Sequence, residues 1–390
     1  MRDPVVRIAA RGDGVTAAGR HVPFGVPGDA LDDAGVLVQG PHHQAPPCRH
    51  YPECGGCQLQ HADDAAYRGY LVSRIEFALA QHGLATEILD PHISPPKSRR
   101  RATLRAVRAG QGIAIGFNSA QSHRIVDMRE CHILRPELFA LVDPTRTILR
   151  ALLLPKRTAE IQLTLADQGV DLLLKGADPE GLEAIERLTA FCKRQGLARL
   201  SIDRGLGPET FYEPVPVTVT LSGTPVPLPV GAFLQATWDG EGALVASVRE
   251  AVGDAEATAD LFSGLGTFAL AFSGRVYAAE ASRDAILALK SAAPHVAADH
   301  RDLYRRPLDE TELHRFDAIV LDPPRAGAEE QVRAIARSTV ARVAYVSCNP
   351  ATFARDARLL VDGGYRIAWV KPVGQFRWST HVELAAAFVR

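Results

Sequence analysis

The sequence predicts an α/β protein whose C-terminal part is a doubly wound, mostly parallel sheet. Three features point to it. From about residue 240 onward, apolar strand-like runs alternate with helical ones. A glycine loop directly follows the first of these strands in ATADLFSGLGTF (257–268). Acids then stand at or just past successive strand ends: Glu280 in VYAAE, Asp302 in HRDL and Asp322 in AIVLDPP. The N-terminal part reads differently, as a β-rich segment over 1–40 and an α+β region over 41–235. The α/β unit occupies 236–390.

In chain order, VVRIAA, GVTAAG and HVPFGV are short apolar runs separated by glycine turns, the pattern of a small β-barrel or part of one. PHHQAPPC is a linker. AAYRGYLVSRIEFALAQHG has helical apolar spacing and stops at Gly83. Residues 101–135 and 158–230 alternate like strands, with the helical run GLEAIERLTAFCKRQG inside the second stretch. Its Cys192 falls on the apolar stripe and is expected in the core. FYEPVPVTVTLSGTPVPLPVGAF is strand-rich and leads into the last unit. There WDGEGALVASVREAVG predicts a helix and ATADLFSGLGTFALAFSG a strand, loop and helix. FDAIVLDPP and RVAYVSCNP follow as buried strands with loops, and ATFARDARLLVDGG as a helix. YRIAWVKPV and HVELAAAFV close the chain as strands.

With 390 residues, 46% of them hydrophobic and 23% charged, the chain is long enough for two or three globular domains. No apolar run approaches twenty residues, and MRDPVVRIAARGDG lacks the apolar core of a signal peptide, so a cytoplasmic protein is expected. Nothing in the sequence demands more than a monomer. The net charge of −1 says little about partners, but its distribution is uneven. From Pro91 to Val126 there is no acid, while Lys97, Arg99, Arg100, Arg101, Arg105, Arg108 and Arg124 stand in that window. Such a stripe fits a polyanion track, or equally a solvated face with ion-pair partners.

CRHYPECGGCQLQH (48–61) places Cys48, Cys54 and Cys57 within ten positions, in a chain with six cysteines. In a reducing compartment this density fits a metal site better than disulfides. Cys131 in DMRECHIL completes a C-x5-C-x2-C…C set. Four thiolates hold zinc or an iron–sulfur cluster, and spacing alone does not choose.

Gly264 and Gly266 let the backbone approach a ligand at the carboxyl end of the sheet, although Ala269 breaks a G-x-G-x-x-G pattern. Glu280 is placed to accept ribose hydroxyls. Acid, glycine loop, acid, acid in this order resembles a class I S-adenosylmethionine methyltransferase, which implies cofactor contacts from Phe262, Gly264, Gly266, Thr267, Glu280, Asp302 and Asp322. Asp322-Pro-Pro-Arg325 has no aromatic fourth residue, which argues against amino methylation. Cys348 in VAYVSCNP ends a strand in the same crevice. A thiolate there suits methylation of a pyrimidine carbon 5: it adds to carbon 6 and makes carbon 5 enolate-like, and a base later removes the carbon-5 proton.

DLFSGLGTF, LDPPRAGA, YVSCNPATFARD and the terminal HVE resemble, in order, the RNA uracil-5-methyltransferase family over nearly the whole chain. The resemblance implies that Cys348 is the nucleophile and Glu383 the base. GAFLQAT resembles the family's F-x-Q-x-N motif, so Gln235 would contact cofactor or target base and Phe233 would offer RNA an aromatic face. Thr237 and Thr267 stand where relatives have Asn, and Ser263 where they have Cys. The branch acting on ribosomal RNA carries a [4Fe–4S] cluster with this cysteine spacing, which implies iron–sulfur for Cys48, Cys54, Cys57 and Cys131. Arg99, Arg100, Arg101 and Arg105 then read as an RNA track. VVRIAARGDGVTAAGRHVPFGVPGD resembles the first half of a TRAM barrel, with the second half missing. The expected activity is 5-methyluridine formation in 23S ribosomal RNA. Alternatives are transfer RNA as substrate, cytosine-5 methylation, a redox protein, or an iron–sulfur RNA-binding module without catalysis.

Overall fold

The structure is a computed structural model that describes residues 2–110, 112–120, 122–153, 157–179 and 181–390. Its C-terminal sheet has the strand order Ala297–His300, Arg275–Glu280, Ala257–Leu261, Ala318–Leu321, Arg342–Ser347, Glu383–Val389, Arg366–Gly374, His92–Ile93. The first five are mutually parallel; Glu383–Val389 runs antiparallel to both its neighbours. The order reverses at Ala257–Leu261, so a crevice opens between its carboxyl end and that of Ala318–Leu321. The central strands are mostly apolar because both faces are covered: AIVL (318–321) is wholly buried.

Two sequence expectations change here. No α-helix follows the glycine loop; Ala269–Ala271 makes only a short 3₁₀ turn. Only seven residues separate Gly266 from Gly274, too few for a stable helix, and the Asp260 carboxylate accepts the Ala269 N–H at 2.8 Å, closing the turn early. The strand-like reading also passed over helices Val142–Leu152, Arg283–Ala292 and Glu329–Arg337.

The central sheet has the order Pro208–Tyr212, Arg199–Asp203, Gly169–Lys175, Thr158–Ala166, Arg101–Ala109, Gly112–Gly116. Its core takes in Leu149 and Phe191 from the helices Val142–Leu152 and Gly181–Gln195, with Cys192 buried beside them as expected. Residues 64–93, although between the cysteines and this sheet in sequence, pack elsewhere. Helix Asp64–Ala80 buries Tyr67, Leu71 and Ile75 in the core of the C-terminal sheet, and His92–Ile93 pairs in parallel with Arg366–Gly374. The N-terminal segment forms a sheet of five short strands between Asp3 and Val38. No helix among the described residues is long and apolar enough to cross a membrane.

Candidate active site

A cleft of about 580 Å³ occupies the crevice where the strand order reverses. Three strand ends bring reactive groups to it. Asp322 follows Ala318–Leu321, Cys348 follows Arg342–Ser347, and Glu383 begins the neighbouring antiparallel strand. Ser347 pairs with Leu384, so the next position along each strand sets Cys348 beside Glu383.

Burial pushes the Cys348 thiol up, and the Glu383 and Asp322 carboxylates push it further; Arg325 pulls it back. Glu383 is only 4% exposed, and burial raises its carboxyl to about 8, against the Gln375 amide that favours the ionised form. Burial raises Asp322 to about 7. Two carboxyls poised near neutrality beside a thiol are groups able to take protons at physiological pH.

The other end of the cleft is built to hold a nucleoside. Phe262 sits at φ 65°, a conformation rarely adopted by a bulky side chain, and turns the loop over the cleft. Its ring packs 5.5 Å from that of Tyr304, which also lines the cleft. The Glu280 carboxylate accepts the Gly264 N–H at 3.1 Å and the Ser282 N–H at 2.7 Å, leaving lone pairs toward the cleft. Asp302 and Thr267 complete this wall. Asp260 lies beneath it, fully buried and raised by that burial to about 8. Gly266 corrects the expectation of a cofactor contact: it does not line the cleft. At φ 90° a Cβ there would lie 2.6 Å from Leu289, so this glycine serves the loop's packing.

Gln235 faces the catalytic end. It donates to Asp322 at 3.4 Å and accepts from Gln375 at 2.7 Å, while Gln375 also bonds Glu383. Gln375 is buried and takes the Ala236 N–H at 2.7 Å. It therefore ties the Gln235 segment to Glu383. Phe376 and His381 line the cleft too, their rings 5.4 Å apart. Sequence reasoning missed Gln375, Phe376 and Tyr304. The first two lie in the link between the closing strands, a stretch with no motif of its own.

The basic stripe divides. Arg100 is a correction: it is 1% exposed and holds Glu241 and the Gln235 carbonyl, the latter at 3.0 Å, so it cannot touch RNA. Arg108 is spent on the carbonyls of Arg150 and Leu153, and Arg124 pairs with Glu53. Arg101 lies 4.3 Å over the ring of Phe233, whose 60% exposure leaves the other face free at the cleft mouth. Arg105 is exposed and pairs with Glu160 at 2.9 Å. Because Arg100→Met would strand a buried Glu241 carboxylate, it is expected to cost about 3–5 kcal/mol. Adding Glu241→Leu should recover much of that loss. Urea unfolding of both variants checks this.

Cys48, Cys54, Cys57 and Cys131 come together, as the spacing suggested, around one small, mostly apolar cavity. All four are free thiols. Among the described residues no group of three or more His, Cys, Asp or Glu is arranged to hold a metal ion. Burial pushes Cys57 up to about 12 and Cys131 to about 11, and each thiol's charge would raise its neighbours further. Cys57 is buried and the other three are half-buried; thiols this close are costly to ionise unless a cation compensates them, so the donor types fit a group bound by four thiolates although their present spacing does not.

Residues 293–390 match the sequence profile of the tRNA (uracil-5-)-methyltransferase family. An uncharacterized RNA methyltransferase of Zymomonas mobilis is 53% identical, covering 99% of this chain and 99% of its own length. The 23S rRNA (uracil(1939)-C(5))-methyltransferase of Edwardsiella ictaluri is 30% identical over 90% of this chain and 83% of its own. The fold matches that of Pyrococcus abyssi tRNA (uracil-54, C5)-methyltransferase, solved with S-adenosyl-L-homocysteine, at a TM-score of 0.76 and 21% identity over the whole of both chains.

Proposed function

Given that the chain belongs to the RNA uracil-5-methyltransferase family, we propose that it makes 5-methyluridine in 23S ribosomal RNA. It is an S-adenosylmethionine-dependent RNA methyltransferase. The observation that carries the carbon-5 chemistry is the meeting of Cys348, Glu383 and Asp322 at one end of a cleft whose other end suits a nucleoside; the 23S ribosomal RNA target rests on the similarity to the Edwardsiella enzyme.

When bound, S-adenosylmethionine supplies an electrophilic methyl group. Glu280, Asp302, Phe262, Gly264 and Thr267 would hold it. The target uridine must leave its stack to reach Cys348, and Phe233, Phe376 and His381 offer it rings to lie against. The Cys348 thiolate then bonds carbon 6, and the π electrons of the carbon 5–carbon 6 bond move toward the O4 carbonyl. Carbon 5 would take the methyl carbon as its bond to the sulfonium sulfur breaks, the electron pair leaving with S-adenosylhomocysteine. Glu383 removes the carbon-5 proton, the electron pair re-forms the double bond, and the sulfur leaves. Gln235 and Gln375 hold Asp322 and Glu383 in place for these steps.

The convergence of the four cysteines suits a group held by four thiolates, and the family resemblance alone favours a [4Fe–4S] cluster over zinc. Since methyl transfer is not redox, its role in this reading is to fix the Cys48–Cys57 loop against the central sheet. Residues 1–40 serve as a shortened TRAM-like unit, 41–235 as the RNA-facing middle, and 236–390 as the methyltransferase unit. Residues 64–93 of the middle are lent to the C-terminal sheet.

The test is nucleoside mass spectrometry of 5-methyluridine, on ribosomal and transfer RNA kept separate, from cells with and without the gene. Loss from ribosomal RNA is expected. Loss from transfer RNA alone would keep the chemistry and move the substrate to the one named in the matching family's description. No loss from either pool would overturn the proposal.

A further inference from the structure

One cation stands between the four-cysteine cavity and the catalytic cleft. The backbone of residues 97–99 is laced to the segment that follows Cys131. Lys97 N–H donates to the His132 carbonyl at 2.9 Å, Arg99 N–H to the Ile133 carbonyl at 2.9 Å, and Arg135 N–H to the Arg99 carbonyl at 3.0 Å. These bonds tie the backbone that carries Arg99 to the segment that follows Cys131. The Arg99 guanidinium is fixed in turn by its bond to the Arg101 carbonyl at 3.1 Å, and it lies 5.3 Å over the ring of Phe376. Phe376 lines the cleft and packs on His381, which lines it too.

The charges agree with this placement. Burial pushes the Arg99 guanidinium below its ordinary value, and the charges of Cys57 and Cys131, when ionised, push it back. On its other side burial pushes the His381 imidazole down, with Arg325 and then Arg99 adding to it. Four thiolates outweigh either a divalent ion or a dicationic iron–sulfur core, so the filled cavity is anionic. An anionic cavity and the Phe376 ring would both attract the Arg99 guanidinium, which lies over that ring.

We propose that Arg99 is a positioning residue that couples the four-cysteine site to the uridine pocket, by holding Phe376 as a wall for the flipped base. This rests on reading the cysteines as a metal-holding site and the cleft as the uridine site.

Arg99→Gln removes the cation. The loss of one half-buried cation–π contact should raise the RNA KM by about tenfold. The KM for S-adenosylmethionine and the iron content should stay unchanged, and Arg99→Lys should restore part of the loss. An unchanged RNA KM in Arg99→Gln would overturn the proposal. So would equal losses toward RNA and S-adenosylmethionine, which mark general damage. A second readout needs no activity. Hydrogen exchange over residues 374–381 should quicken when the wild-type protein loses its metal. In Arg99→Gln the same exchange should be quick with metal or without. Exchange there that ignores metal in the wild type would also overturn the coupling. If the wild type methylates no uridine, the functional reading falls on its own, and the exchange experiment still decides the coupling.

Discussion

Cys348→Ala is expected to lower uridine methylation by at least about 10⁴-fold while S-adenosylhomocysteine still binds. The argument is chemical. Carbon 5 of uracil is a poor nucleophile, and no other thiol borders the cleft to activate it. Cys348→Ser should fail almost as completely, because a hydroxyl ionises far less readily than a thiol. That pair separates loss of the nucleophile from loss of packing. In the free protein, burial and the two carboxylates hold the thiol above its ordinary value, so little thiolate exists at pH 7. Slow alkylation of Cys348 at neutral pH is the corollary. Binding of RNA must then supply either a proton acceptor or a change of environment, and Asp322, raised to about 7, stands ready as acceptor. Labelled methyl incorporation into RNA, with calorimetry for S-adenosylhomocysteine, measures both halves. Substantial turnover in Cys348→Ala would sink covalent catalysis at this site.

How much of this was legible in the sequence depends on how local each feature is. Strand ends and glycine loops are written in short runs, so Gly264, Glu280, Asp302, Asp322 and Cys348 were found by position alone and meet in the cleft. The thiol set was legible by density at 48–57, with Cys131 as the distant cysteine of the C-x5-C-x2-C…C pattern. What failed depends on tertiary context. Arg100 directly precedes the strand that Arg101 opens, and the two look alike in sequence, yet Arg100 turns inward to Glu241 and Arg101 toward Phe233. Gln375 carries no local pattern; its role exists only because residues 235, 375 and 383 converge. Helix Asp64–Ala80 was seen as a helix, but its partner, the C-terminal sheet, was not. Periodicity gives the apolar face and not what covers it.

Glu383→Gln should separate the two halves of the reaction. Methyl transfer to carbon 5 needs Cys348 but no base, so the amide variant is expected to transfer one methyl per enzyme and stop. With the carbon-5 proton unremoved, the RNA stays bonded to Cys348 and runs as a shifted band in a denaturing gel. Multiple turnover should fall by about 10²–10⁴-fold, the usual worth of a positioned base. Free product without a trapped adduct would assign proton removal to another group. The pH profile follows from the same residue. Glu383 acts as a base only when ionised, and burial lifts its carboxyl to about 8. The wild-type rate should therefore rise with pH up to about 8 and level off above it. Gln375→Leu removes the amide that favours the ionised form, and should move that limb to higher pH. Stability should run the opposite way. From the ordinary carboxyl value of 4.5 up to about 8 the unfolded chain releases this proton while the folded protein keeps it. The folded state then binds more protons, so stability falls as pH rises through that window. Asp322 and Asp260, both raised by burial, add to the same slope. In Glu383→Gln the slope should flatten, because one of the three groups no longer titrates, and urea midpoints measured across this range would show it. An enzyme with this site is therefore expected to gain activity and lose stability over the same pH units, since one buried carboxyl governs both.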